Sequence, residues 1–152
     1  MVAQLTGLHI VRMTDVGLSH IALAVRDLDR SLDFYHRYAD MEVVHRRTGS
    51  DGSGAVAWIG DLTRPFVIVL LETEVTHPLG GWAHLGVGCA SRDEVDRRLV
   101  EANAAGLTVV GPVDDGPPVG YWGLITDPDG NNLELAYGQE VGLTVDRAAG
   151  GR

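Results

Sequence analysis

His20, His84 and Glu134 are the residues of this chain best suited to chemistry. Two neutral imidazoles and one carboxylate form a facial donor set that holds one divalent transition metal, Fe, Mn, Zn or Ni, and leaves coordination positions open for substrate or water. His20 opens the run His20-Ile-Ala-Leu-Ala-Val25, His84 opens the similar run His84-Leu-Gly-Val-Gly-Cys89, and Glu134 lies inside Asn131-Asn-Leu-Glu-Leu-Ala-Tyr137. Side chains alternate between the two faces of a strand. His20, Ala22 and Ala24 therefore share one face, as do His84, Gly86 and Gly88, and as do Asn132, Glu134 and Ala136. Each opposite face carries the bulky apolar residues. Small residues beside a donor waste burial that a purely structural sheet would use, so three such rows describe an open pocket.

The elements that must position these donors repeat. Each His-led run is followed by a polar turn and a helical pattern, with Asp27 as N-cap before Leu28, Leu32 and Tyr35, and Ser91 with Glu94 as a capping box before Val95 and Leu99. Three strand-like runs follow in each half, at about 41–47, 54–60 and 65–73, and then at about 107–113, 119–126 and 131–137. Asp127-Pro128-Asp129-Gly130 reads as the tight turn before the last of them. The expected fold class is α+β, two repeated β-α-β-β-β modules forming a cupped mixed sheet around the metal site. The modules span 15–75 and 80–140, with an N-terminal extension over 1–14 and a C-terminal tail over 141–152 that lacks periodicity. The unused faces of the two sheets must bury against each other or against a partner chain.

Composition excludes several classes. The chain has 152 residues and a formal net charge of −9, and all 12 of its basic residues are arginine. An acidic surface repels nucleic acid and anionic membranes, and the absence of lysine removes Schiff-base and Walker-type phosphate chemistry. One cysteine, Cys89, permits neither an intrachain disulfide nor a cysteine zinc site and reads as core filler. No stretch reaches the length of a membrane span, and the N-terminus lacks a signal-peptide pattern, so the expected protein is soluble and cytoplasmic. The segment Asp114-Asp-Gly-Pro-Pro-Val-Gly-Tyr121-Trp122 suits a pocket rim, and Trp58 and Trp82 suit its walls, Trp82 sharing the parity of His84.

The segments Ser19-His20-Ile-Ala-Leu-Ala-Val-Arg-Asp-Leu28, Ser31-Leu-Asp-Phe-Tyr35, Ala83-His84-Leu-Gly-Val87 and Asp127-Pro-Asp-Gly-Asn-Asn-Leu-Glu134-Leu135 resemble the vicinal oxygen chelate superfamily of glyoxalases, extradiol dioxygenases and bleomycin-resistance proteins. The resemblance runs from about 17 to 138. It implies a cupped sheet around one metal, a substrate bound through adjacent oxygens, and pairing of two chains as a homodimer. The glyoxalase I pattern has a further carboxylate on the last strand of the first module, where alignment puts Val69 opposite Glu134. Glu72 lies near but points to the other face by alternation. The extradiol pattern places a tyrosine where this chain has Leu124, three residues from Tyr121.

The function expected is a metal-dependent isomerase, lyase or dioxygenase using the ion as a Lewis acid on a small organic substrate with vicinal oxygens. Its metal ligands are His20, His84 and Glu134, its acid–base candidates Tyr121 and Glu72, and its substrate walls Trp58, Trp82, Trp122 and Val69. The alternative is a metal-free dimeric module that sequesters a drug or metabolite.

Overall fold

The computed structural model describes residues 17–49 and 54–151. The segment read as an N-terminal extension, 1–14, lies outside them. Strand β1 (His20–Val25) leads into helix α1 (Leu28–Ala39), and strands β2 (Glu42–Arg47), β3 (Val56–Gly60) and β4 (Val67–Glu72) complete a first sheet of order β1-β4-β3-β2. Strand β5 (His84–Gly88), helix α2 (Arg92–Ala104) and strands β6 (Val109–Asp114), β7 (Tyr121–Thr126) and β8 (Asn132–Tyr137) build a second sheet of order β5-β8-β7-β6. In each sheet the first and last strands run parallel and the other pairs antiparallel. The fold is α+β, two four-stranded mixed sheets from two repeated modules.

The helices start where the sequence places them. The Asp27 carboxylate accepts the Arg30 N–H at 3.0 Å, and the Ser91 hydroxyl accepts the Glu94 N–H at 3.1 Å, each satisfying a donor that a helix start leaves free. Glu94 reaches back one residue further than a capping box requires, to the Ala90 N–H at 2.7 Å. The bulky strand faces pack under the helices: Leu23, Val25, Ile59, Ile68 and Leu70 in the first module join Val95, Leu99, Ile125, Leu133 and Leu135 in the second in one continuous core. Each such leucine or isoleucine contributes about 1.5–3 kcal/mol by leaving water. Cys89 is half-buried against this core, and burial pushes its thiol pKa up.

Polar contacts join the modules on their helical sides. Arg98 of α2, only 5% exposed, donates to the Tyr38 carbonyl at 2.6 Å and to the Asp40 carboxylate at 2.5 Å, and Arg37 pairs with Glu101. The turn between β7 and β8 is a second joint. Asp127 accepts the Asp129 and Asn131 N–H groups at 2.8 Å each and the Tyr35 hydroxyl of α1 at 2.9 Å. Asp129 takes the Arg26 N–H at 3.2 Å and its guanidinium at 3.1 Å. Tyr35 is fully buried there, and desolvation, reinforced by Asp127, raises its phenol pKa far above the ordinary value.

The C-terminal segment departs from the expectation of a tail. Helix α3 (Val141–Gly150) forms there with no buried residue, started by the Thr144 N–H and hydroxyl donating to the Glu140 carbonyl. Val141 and Val145 fall at helical spacing in α3 but stay exposed, so no packing against the core marks this helix. Among the described residues no helix is long and apolar enough to cross a membrane.

Candidate metal centre

The open faces of the two sheets carry the donors. On the second, register places His84 opposite Asn132, Gly86 opposite Glu134, and Glu134 opposite Leu124. Glu134 is 8% exposed, an unfavourable place for a carboxylate unless it is paired. One partner is the Gln139 amide, which donates to Oε1 at 2.6 Å. The other oxygen, Oε2, lies 3.4 Å from His84 Nε2. His84 Nδ1 lies 2.8 Å from the Trp82 carbonyl, which can only accept, so the ring proton sits on Nδ1. With Nδ1 so engaged, Nε2 is the ring atom left to face the carboxylate oxygen. Two electron-rich atoms facing each other call for a cation between them, either a proton or a metal. Donors bound to one ion at about 2.0–2.2 Å stand no more than about 4.2 Å apart, so the pair has the spacing of two ligands of one centre. Its outer contacts, a carbonyl on the imidazole and an amide on the carboxylate, are of the kind that orient metal ligands.

His20 stands apart from this pair. It is exposed on the open face of the first sheet, its Nδ1 3.0 Å from the Ser19 hydroxyl. Among the described residues, no three His, Cys, Asp or Glu side chains in one chain stand close enough to share an ion. The reason is the packing. The contacts that join the modules lie on their helical sides and at the Asp127 turn, away from the strand faces that carry His20 and Glu134.

Trp58 and Val69 stand in register on the first sheet, with Ala22 opposite Val69, and line a cavity of about 310 Å³ together with His20. On the second sheet Trp122 opposes Ala136 and shares the face of Glu134, with its indole N–H donating to Asp115 at 2.8 Å. Trp82 is 82% exposed and orients His84 through its backbone.

Neither acid–base candidate reaches these faces. Tyr121 opposes Tyr137 and turns toward α2, where its hydroxyl donates to Asp96 at 2.5 Å and Arg92 lies 4.7 Å from its ring centroid. The Asp96 hydrogen bond, with burial and the same charge, raises the phenol pKa, which disfavours a catalytic base. The assignment of Tyr121 is thereby corrected: β7 alternation gives the open face to its neighbour Trp122. Glu72 is corrected likewise. Its carboxylate accepts the Leu28 N–H at 3.1 Å and the Ala55 N–H at 3.4 Å, tying the start of α1 to the residue before β3 on the helical side.

Two further residues stand beside these side chains. Gln139 follows Gly138, which has φ +78, and neighbours Gly120, where a Cβ would come within 2.5 Å of the Tyr137 carbonyl. This backbone approach sets the turn that aims Gln139 at Glu134, and no sequence pattern marks it. His45 is exposed on β2 and packs its ring 5.0 Å from that of Trp58 on the first open face. A bulge between Val43 and His45 shifts the parity that alternation would assign.

Known proteins resemble the chain at several levels. The family model for the glyoxalase/bleomycin resistance protein/dioxygenase superfamily matches residues 17–135. An uncharacterised protein of Pseudomonas aeruginosa is 36% identical over 129 residues, covering 82% of this chain and 91% of that protein. A lactoylglutathione lyase of Neisseria meningitidis is 29% identical over 123 residues, covering 78% of this chain and 88% of that protein. The fold matches a glutamate-to-glutamine variant of a fosfomycin resistance protein from Listeria monocytogenes, complexed with Mn(II) and dihydroxypropylphosphonic acid. That match has a TM-score of 0.65 at 21% identity and covers 87% of this chain and 99% of the other.

Proposed function

The chain belongs to the glyoxalase/bleomycin resistance protein/dioxygenase superfamily, and we propose that it is a divalent-metal-dependent enzyme acting on a small organic substrate with vicinal oxygens, by isomerase, lyase or oxygenase chemistry. The observation that carries this reading is the approach of His84 Nε2 to Glu134 Oε2 at 3.4 Å, with Nδ1 of the same ring held by the Trp82 carbonyl. His20 is the third ligand and comes from a second copy of the chain, because among the described residues of one chain no third donor joins His84 and Glu134. The functional unit is then a homodimer with two equivalent sites, in which each first sheet covers a second sheet of the other chain.

When bound, the metal supplies a Lewis acid for two adjacent substrate oxygens. The chain's own residues do the rest. Gln139 holds Oε1 and the Trp82 carbonyl holds the His84 ring, so both donors keep their orientation before an ion arrives. Ala22, Gly86 and Gly88 keep the faces open for substrate, and Trp58, Val69, Trp82 and Trp122 wall it. Tyr121 and Glu72 take no part.

One experiment tests ligand set and pairing together. Metal-free protein loaded with Mn(II) should hold about one ion per chain, and His20→Ala and His84→Ala should each abolish it without unfolding the protein. Unfolding and refolding the two variants as an equal mixture should restore about one ion per four chains, since half the dimers carry one intact site of two. A mixture that stays empty would sink the shared site, and a His84→Ala protein that keeps stoichiometric metal would sink the ligand assignment.

A metal-free binding module is the second reading, favoured by the apolar cavity beside His20 in a chain that does not gather all three donors itself. Ligand binding that is indifferent to chelator would select it.

A further inference from the structure

The cavity on the first sheet contains one fixed charge. Its lining combines Trp58, Val44, Val69 and Phe66 with Arg64 at the lip. Trp58 is 43% exposed, so its ring is available for stacking while His45 packs against it. Arg64 belongs to the turn between β3 and β4. Its Nε donates to the Thr63 hydroxyl at 3.1 Å and lies 3.8 Å from Asp61. Asp61 is itself occupied by the Thr63 N–H at 2.9 Å and hydroxyl at 2.7 Å. Among the described residues the terminal guanidinium nitrogens make no hydrogen bond. Leu62, with φ +60 and 69% exposure, extends the apolar lip beside them.

We propose that this cavity binds a one-ring organic anion, with its ring against Trp58 and its anionic group on the Arg64 guanidinium. A volume of about 310 Å³ lies at the small end of ligand pockets, which suits one ring with small substituents. The protein carries −9 overall and repels anions at long range, so an anion binds where a local cation offsets that field. Arg64 presents a planar fork of donors suited to a carboxylate. The inference rests on reading this face as the substrate half of the proposed metal site, and it names the class of substrate.

Metal-free protein tests it separately from the metal. The probes are benzoate and its neutral analogue benzamide, followed by the ¹⁵N–¹H signal of the Trp58 indole, which Trp58→Phe identifies. Benzoate should shift that signal saturably and bind about tenfold more tightly than benzamide, and Arg64→Gln should bring the two to equal affinity. Equal affinities in the unsubstituted protein, a preference that survives Arg64→Gln, or no saturable shift with either probe would each overturn the proposal. Failure of the metal reading would leave this titration unchanged, because no metal is present in it.

Discussion

The two modules put the same hairpin turn to opposite uses. Between β3 and β4, Asp61 accepts the N–H two residues on, and the turn stays at the surface with Arg64 and Leu62 at the cavity lip. Between β7 and β8, Asp127 accepts the N–H two residues on in the same way, but the turn is buried under α1 and locked by Tyr35, Ser31 and Arg26. The strand rows divide likewise. Ala22, Val69, Trp58 and His45 cross the first sheet in register, and Gly86, Glu134, Leu124 and Val110 cross the second. A duplicated scaffold has kept its register and its leading histidine, while one copy carries the carboxylate donor and the other the apolar cavity.

The turns allow the strongest test of that division. Asp127→Ala removes the acceptor of two backbone N–H groups and of the Tyr35 hydroxyl, all buried, and should cost about 3–5 kcal/mol of stability in urea denaturation. Asp61→Ala, at the surface, should cost less than about 1 kcal/mol. Equal costs would mean that the second turn is no joint.

Exchanging the strand residues comes next. Glu134→Val gives the second sheet the residue of the first and should weaken Mn(II) binding at least about 100-fold, roughly 3 kcal/mol. The reverse change, Val69→Glu, places a carboxylate in the equivalent slot beside His20 and should tighten Mn(II) about tenfold. Calorimetric titration reads both, and a Val69→Glu protein with unaltered affinity would show that the two slots are not equivalent around one ion. Gln139→Ala should weaken Mn(II) about tenfold, the size of effect expected from an outer contact that orients a ligand. An unchanged affinity would leave Gln139 without a role at the centre.

Much of this division was legible in the sequence, for identifiable reasons. Alternation from His20, His84 and Glu134 assigned three strands to the correct faces because each strand is short, regular and backed by a core that punishes a slip of one residue. The repeat placed Val69 opposite Glu134. The Asp127 turn could be read as a turn but not as a joint, since Tyr35, Ser31 and Arg26 approach it from about 90–100 residues away and no local pattern reports them. Gln139 was hidden by a turn that depends on Gly120. That His20 stands apart from His84 and Glu134 is a matter of how the modules dock, through long-range contacts such as Arg98 of α2 with the Tyr38 carbonyl and Asp40, which no strand pattern reports.

Tyr121 marks the boundary of what alternation could have supplied. The tight turn sets Thr126 opposite Asn132, and counting back along both strands from that pair brings Leu124 to Glu134 and Trp122 to Ala136. An odd-numbered Tyr121 therefore falls on the helical face, a result available from the hairpin alone and missed by treating the two aromatics as one rim. Its hydroxyl is tied to Asp96 at a partly exposed site, where a hydrogen bond to a charged group contributes modestly once water competes. Tyr121→Phe should accordingly cost at most about 1 kcal/mol of stability and leave Mn(II) affinity and the benzoate titration unchanged. A loss of turnover in that variant with metal and ligand binding intact would return Tyr121 to the chemistry and require β7 to present its other face during reaction.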